Sequence, residues 1–137
     1  MTKCAQLSLP EMKIGMIPGS GGSVRLARMI GLSRVKDMIM RGKRISGEES
    51  YNYGLASEVV EINELESATR NLVKELCLVS PLAQRAIKTV LNASQDAPLH
   101  VAIELEGETY GRLRSSSDFK EGVQSFVEKR KPFYTGK

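Results

Sequence analysis

The sequence has few aromatic residues, two cysteines and a single histidine. Only 5% of its 137 residues are aromatic, and none is tryptophan. Cys4 and Cys77 lie far apart and lack the spacing of metal ligands, so we expect neither a disulfide framework nor a metal site. His100 has no partner acid at the spacing of a triad or a metal site, which favours a position on a helix surface.

Long apolar runs are also missing. None approaches the roughly 18 residues that a membrane span requires, and the stretch 1–8 is too short and polar for a signal peptide. We therefore expect a cytoplasmic protein without a membrane partner, or one of an organelle matrix if the source is eukaryotic. The net charge of +4 suits a phosphorylated ligand but falls short of a nucleic-acid-binding signature.

The residues that are present predict an α+β fold that is predominantly helical. With 41% hydrophobic residues, the chain has enough apolar material for one core. The patterns predict a first half of short strands and short helices, followed by an all-helical second half. The predicted elements of the first half are a short buried strand or extended segment over 7–17, a helix capped by Ser23, a helix from Ser33 that ends just before Gly42, a helix capped by Ser46 and a strand over 55–62.

Four helices are predicted in the second half. They begin near Glu64, at Pro81 after the cap Ser80, near Pro98 and near Ser117. The last nine residues, 129–137, are basic and interrupted by proline and glycine, so we expect an exposed tail.

A glycine-rich loop, Pro18-Gly-Ser-Gly-Gly-Ser23, stands where an extended segment meets a helix. Backbone N–H groups at such a junction can hold an anion or a polarised carbonyl group. The loop matches neither the dinucleotide-binding fingerprint nor the P-loop. A plain structural turn is the alternative interpretation.

Glu11 is an acid within an otherwise apolar run, seven residues before that loop. Burial would suit it to general acid–base catalysis. The alternative is a solvated glutamate at an edge of the fold, which is common for isolated acids.

Residues 9–31, LPEMKIGMIPGSGGSVRLARMIG, closely resemble a segment that marks the enoyl-CoA hydratase/isomerase (crotonase) superfamily. The marks are a Pro-Glu dipeptide, an Ile-Pro-Gly-x-Gly-Gly turn and a helix carrying Arg-Leu. The resemblance continues through RGKRISGEESYNYGLASEVV and SPLAQRAIK to DFKEGVQSFVEKRKPFY. It implies the C-terminal part of a crotonase-like fold, since family members are about twice this length.

The resemblance implies roles for six residues. Glu11 corresponds to an acid that activates water or moves a proton, Gly19 lies beside the water site, and Pro18 and Gly19 adjoin the substrate. Lys129, Lys131 and Phe133 are placed like family residues that contact coenzyme A, although a solvated helix end explains the two lysines equally well. Coenzyme A is part of the substrate, and no separate cofactor is implied.

The family's N-terminal half supplies both oxyanion-hole donors, a second glutamate and most of the acyl-CoA pocket. We therefore expect residues 1–62 to be a remnant of the crotonase core and residues 63–137 a helical oligomerisation region. The expected function is glutamate acid–base chemistry on acyl-CoA thioesters, incomplete without an N-terminal half, which a separate chain could supply. The alternative is a non-catalytic module that binds coenzyme A or forms oligomers; relatives are trimers or dimers of trimers. One branch of the family binds RNA, but no aromatic stacking platform accompanies the basic residues here.

Overall fold

The protein divides into two units in the computed structural model, which describes residues 1–137. The first unit is Met1–Arg70 and the second is Asn71–Lys137, with the boundary inside helix α4, Leu65–Leu76. Helices and a few short strands make up the chain, as the sequence predicts. No helix combines the length and the apolar character needed to cross a membrane.

The sheet of the first unit has only two strands, β1 (Gln6–Leu7) and β2 (Ile45–Ser46). They are antiparallel, with Leu7 opposite Ile45. The strand predicted over 55–62 does not form, because Val60 makes only an isolated parallel bridge to Thr2. The N-terminal segment that carries Thr2 turns away from Val60 after Lys3. No further residues of the two segments can then pair, so the bridge does not extend into a β-ladder.

Two consecutive helices form the core of the first unit. Helix α1 is Gly22–Ile30 and helix α2 is Leu32–Met40; their buried contact consists of Ile30, Val35 and Ile39. The predicted apolar face of α2 and its end near Gly42 are confirmed. Ser23 does not cap α1, because Gly21 adopts a left-handed conformation (φ 79°) and turns the chain into the helix two residues earlier.

The segment 7–17 is not the buried strand that its composition predicts. Its residues Glu11–Ile14 form a 3₁₀ turn, which Gly15 ends in a left-handed conformation. The β-ladder stops at Leu7, so the residues beyond it have no strand to pair with, and Ile14 and Ile17 are 79% and 71% exposed. The later part of the apolar run, from Met12 to Ile17, is therefore exposed surface in this chain.

Helix α3, Gly47–Asn52, begins with the predicted capping box. The Glu49 N–H donates to Ser46 Oγ at 3.1 Å, and the Ser46 N–H donates to Glu49 Oε2 at 2.9 Å. Two of the helix's unpaired donor positions are satisfied in this way. Lys43 also donates to Glu49, and these bonds hold the pKa of the Glu49 carboxyl below its ordinary value.

The second unit is built from α5 (Pro81–Ser94), α6 (Leu99–Arg114) and α7 (Ser117–Val127). Ser80 caps α5 as predicted, by accepting a hydrogen bond from the Ala83 N–H at 3.2 Å. Much of the apolar surface is uncovered; Phe126 of α7, for example, is 85% exposed. The predicted apolar face of α7 is therefore present and remains largely exposed within this unit.

Candidate functional site

Glu11 is half-buried at the start of the 3₁₀ turn, and one of its carboxylate oxygens has no partner. Its Oε2 is buried and accepts no hydrogen bond. Nearly all buried polar atoms in folded proteins are hydrogen-bonded, so an orphaned carboxylate oxygen calls for an explanation. An oxygen with no donor from the protein is free to accept a proton or a hydrogen bond from a ligand.

Backbone hydrogen bonds within the turn hold the main chain of Glu11 in place. The Glu11 carbonyl oxygen accepts from the Met16 N–H at 3.1 Å, and the Lys13 N–H donates to the Pro10 carbonyl at 2.9 Å. Lys13 in turn packs on Gly42, where a β-carbon would lie 2.5 Å from its Cε. Glu11 is therefore carried by a hydrogen-bonded turn that rests on the end of α2.

The glycine-rich loop offers open space at its centre. Pro18 is buried, whereas Gly19 is exposed and a β-carbon there would meet no atom within 4 Å. Gly21 and Gly22 lead into α1, whose first turn has no side-chain cap and no acidic residue. Its free N–H groups and the positive end of the helix dipole favour an anionic or polarised group at this position.

Leu9 joins the Pro-Glu segment to the loop. A β-carbon at Gly22 would lie 3.3 Å from both terminal carbons of Leu9, so glycine allows a closer approach than other residues would. Leu9 also packs against the core of α1 and α2. The structure thus brings together the two segments that carry Glu11 and Gly19 in the first unit.

Lys129, Lys131 and Phe133 lie in the second unit and are exposed. The sequence predicts an exposed tail here, and the backbone of this segment is fastened to α7. The Phe133 N–H donates to Glu121 at 2.8 Å, and the Thr135 N–H donates to Asp118 at 2.8 Å. The side chains are exposed as expected, whereas the backbone is held in place.

Asp118 is the main anchor of this segment, and sequence reasoning missed it. The residue is only 3% exposed, and its carboxylate accepts from Ser80 Oγ at 2.5 Å and from the N–H groups of Thr135 and Gly136. The bond from Ser80, followed by those from the backbone, holds the pKa of the Asp118 carboxyl below its ordinary value. Ser116 caps α7 by accepting from the Phe119 N–H at 3.0 Å, and an acid two residues after this serine was the only local signal.

Glu121 is the second anchor and binds Arg130 through two parallel hydrogen bonds, at 2.5 and 2.9 Å. Arg130 also donates to Glu128 at 2.5 Å. The bonds from Arg130 and Phe133 lower the pKa of Glu121 from 4.5 to about 2. Forked pairing of this kind fixes the geometry of both side chains.

The second unit also contains a cavity of about 520 Å³, beside α6 and α7. Its walls include Phe119, Val123, Phe126 and Tyr134, and it is mainly apolar. Neither Lys129 nor Lys131 nor Phe133 contributes to these walls. The three predicted binding residues therefore lie outside the walls of this cavity.

Comparison with known proteins places this arrangement in a family. The family model for enoyl-CoA hydratase/isomerase matches residues 1–137. A carnitinyl-CoA dehydratase of Salmonella paratyphi A is 35% identical over 97% of this chain and 52% of its own length. The crystal structure of an enoyl-CoA hydratase from Bacillus anthracis superposes with a TM-score of 0.95 at 35% identity, over 99% of this chain and 53% of that one.

A second solved structure, an enoyl-CoA hydratase from Geobacillus kaustophilus, gives a TM-score of 0.91 at 38% identity, over 96% of this chain and 50% of that one. The fold is the C-terminal part of the crotonase fold. The chain belongs to the enoyl-CoA hydratase/isomerase family, and it spans about half the length of the curated relatives it matches.

Proposed function

We propose that this chain contributes half of an active site that acts on acyl-CoA thioesters by acid–base chemistry, with Glu11 as the acid or base. The observation that carries the proposal is the buried, unpartnered Oε2 of Glu11. A carboxylate that receives no donor from its own chain keeps its full capacity to accept a proton from a bound substrate or water. Leu9, packed on Gly22, supports Gly19 as a neighbour of this site.

The other half of the site would come from an N-terminal polypeptide, either a separate chain or the remainder of a longer one. General acid–base catalysis contributes about 10²- to 10⁴-fold, and loss of one oxyanion donor costs about 10²- to 10³-fold. A chain without the oxyanion donors and the second acid is therefore expected to be nearly inactive. Lys129, Lys131 and Phe133 are proposed contacts to coenzyme A.

The test is the hydration of crotonyl-CoA by this chain, alone and mixed with the N-terminal half of a relative. We expect turnover in the mixture only, and Glu11→Gln to lower kcat by about 10²- to 10⁴-fold. Glu48→Gln is the matched control, because Glu48 is an exposed acid of the same unit that forms no ion pair. Equal turnover by the parent and by Glu11→Gln would refute the role of Glu11; turnover by the chain alone would refute the half-site.

One observation favours a second candidate, a non-catalytic module for binding coenzyme A or forming oligomers. Large apolar side chains are exposed in both units, among them Ile14, Ile17 and Phe126. Patches of this kind mark interaction surfaces. This candidate predicts that Glu11→Gln leaves coenzyme A binding and assembly unchanged and that no mixture with an N-terminal half hydrates crotonyl-CoA.

A further inference from the structure

The second unit contains another cavity, of about 450 Å³, which is lined by residues of α5 and α6. Most of its surface is apolar. Two arginines contribute to the lining, Arg85 from α5 and Arg112 from α6, and no acidic residue does. Sites for small molecules have this size and combine apolar walls with a few polar groups. The cavity therefore has the form of a ligand site whose charged groups are all positive.

Helical spacing explains why these residues share one cavity. Residues three and four positions apart lie on the same face of a helix. Two sets of cavity residues follow this spacing, namely Leu82, Arg85 and Ala86 on α5 and Thr109, Arg112 and Leu113 on α6. Each helix thus presents one leucine and one arginine to the cavity.

Neither arginine has a counter-ion. The Arg85 side chain forms no hydrogen bond or ion pair, and Arg112 donates only to Thr109 Oγ1, at 3.3 Å. By contrast, Arg114 of the same helix stacks on Tyr110, with its Cζ 5.9 Å from the ring centre. Two guanidinium groups in one mainly apolar cavity repel each other when no negative charge is present. A bound anion would remove this repulsion.

Thr109 is a buried hydroxyl whose proton has no acceptor. The residue is 9% exposed, and its Oγ1 accepts from Arg112 but donates to no carbonyl. Thr69 and Thr89, which also lie within helices, each donate to the carbonyl four residues earlier, at 2.7 and 3.1 Å. Because buried polar groups are nearly always hydrogen-bonded, the free donor of Thr109 calls for an acceptor. An anionic oxygen in the cavity would supply it.

The lining selects the chemistry of the ligand. A guanidinium group presents paired N–H donors that match the two oxygens of a carboxylate, and the Thr109 hydroxyl adds a further donor. The leucine and alanine side chains beside these donors favour a hydrocarbon, whereas a strongly hydrated inorganic ion loses water there without finding partners. An anion with an aliphatic tail satisfies both parts of the lining.

We infer that the cavity lined by α5 and α6 binds an aliphatic carboxylate, with Arg85, Arg112 and Thr109 holding the carboxylate and the apolar wall holding the tail. None of the residues to which the proposed function assigns a role lines this cavity, so the inference does not rest on that function. It gives a ligand to two arginines that the acid–base chemistry does not use.

The test is a titration of the full chain with octanoate at low ionic strength, followed by calorimetry and by the amide shifts in ¹H–¹⁵N spectra. We expect saturable binding, with the shifts concentrated in residues 82–89 and 109–113. Each methylene removed from the probe is expected to raise Kd about two- to fourfold, since the cavity buries the tail in part.

Three substitutions test the carboxylate contacts. Arg85→Gln and Arg112→Gln are each expected to raise Kd for octanoate about two- to fivefold, the range of one exposed ion pair. Thr109→Val keeps the shape of the side chain and is expected to raise Kd about two- to tenfold. Because both arginines are exposed, their glutamine variants are expected to keep the Tm of the parent.

Arg114→Gln is the matched control. It removes one positive charge from the same helix at a residue outside the cavity, so Kd is expected to stay within about twofold of the parent. Octanol and acetate separate the tail from the charge, and each is expected to bind at least about fivefold more weakly than octanoate.

The inference is overturned if octanoate shows no saturable binding, or if its shifts centre on other exposed apolar residues such as Ile14, Ile17 and Phe126. Unchanged Kd values in both arginine variants would overturn it as well. Octanol binding as tightly as octanoate would mean hydrophobic contact alone, and inorganic phosphate binding as tightly would mean an unselective anion site. Either result would refute the assignment to an aliphatic carboxylate.

Discussion

Gly47 approaches Thr2 so closely that a β-carbon on it would lie 2.0 Å from the Thr2 carbonyl oxygen. The same glycine donates its N–H to the Lys3 carbonyl at 3.3 Å. The start of α3 therefore rests directly on the N-terminal segment, which continues into β1 and its pairing with β2. A backbone atom cannot move aside as a flexible side chain can.

Gly47→Ala is expected to lower the free energy of unfolding by about 3 kcal/mol, since the N-terminal segment must shift to admit the methyl group. Chemical denaturation measures this change. Gly107→Ala is the control, because a β-carbon at Gly107 in α6 would meet no atom within 4 Å; it should raise stability by about 1 kcal/mol. Equal effects of the two substitutions would contradict the contact.

Glu11→Gln is expected to stabilise the chain while it removes the proposed acid. The buried Oε2 has no donor, and an unpaired carboxylate oxygen costs more to bury than an unpaired amide group. A gain of about 0.5–1 kcal/mol in the free energy of unfolding at neutral pH is expected. Urea titration of both proteins checks it, and a loss of stability would mean that the carboxylate has a partner in solution.

The loss of folding stability at acidic pH should depend on Glu121. Its folded-state pKa of about 2 lies below the ordinary 4.5, so the ionised carboxylate stabilises the fold above pH 4.5. That contribution is lost as the pH falls from 4.5 to about 2. In Glu121→Gln, Tm should be lower at neutral pH and should fall less steeply over this range; Glu75→Gln, an exposed acid without an ion pair, should follow the parent.

Ser80→Ala removes the hydroxyl oxygen that takes part in two hydrogen bonds. The Ser80 hydroxyl caps α5 through Ala83 and donates to Asp118. Loss of the cap alone is expected to cost about 1 kcal/mol. A double-mutant cycle with Asp118→Asn should show that the combined loss is smaller than the sum of the two single losses, because both remove the same contact. Additive losses would indicate that the two groups act independently.

Self-association should accompany the exposed apolar surface. Ile17 and Phe126 are 71% and 85% exposed, and surfaces of this kind favour contact with other chains. Sedimentation velocity at micromolar concentrations is expected to show oligomers that become smaller in Ile17→Ser and Phe126→Ser. A monodisperse monomer for the parent chain would contradict this expectation.

The elements that the sequence predicts well are those whose signals are local. Ser46 with Glu49, and Ser80 with Pro81, cap their helices within one turn, and the buried face of α2 follows a three- and four-residue spacing. The 3₁₀ turn at Glu11 was not predictable in this way, because whether an apolar run becomes a strand depends on a partner strand far along the chain.

The same distinction applies to the candidate site. Glu11 attracts attention as an acid in an apolar run, but its lack of a hydrogen-bond partner is visible only in three dimensions. Asp118 accepts hydrogen bonds from Thr135 and Gly136, which follow it by 17 and 18 positions. No periodic pattern in the sequence indicates a contact over such a distance. The resemblance to a family singled out Lys129 and Lys131 as candidates, whereas the positive φ angle of Lys129 (54°) has no sequence signature.

The fastening of the C-terminal segment has a consequence for how alanine scanning would rank its three consecutive cations. Replacing Arg130 would release Glu121 and Glu128 at once and loosen the start of the segment, while Asp118 would still hold Thr135 and Gly136. The effect of such a variant would combine the loss of one positive charge with a change in the course of the backbone. In this protein, the one substitution of the three that removes ion pairs would thus report on the fold of the segment and not on the guanidinium alone.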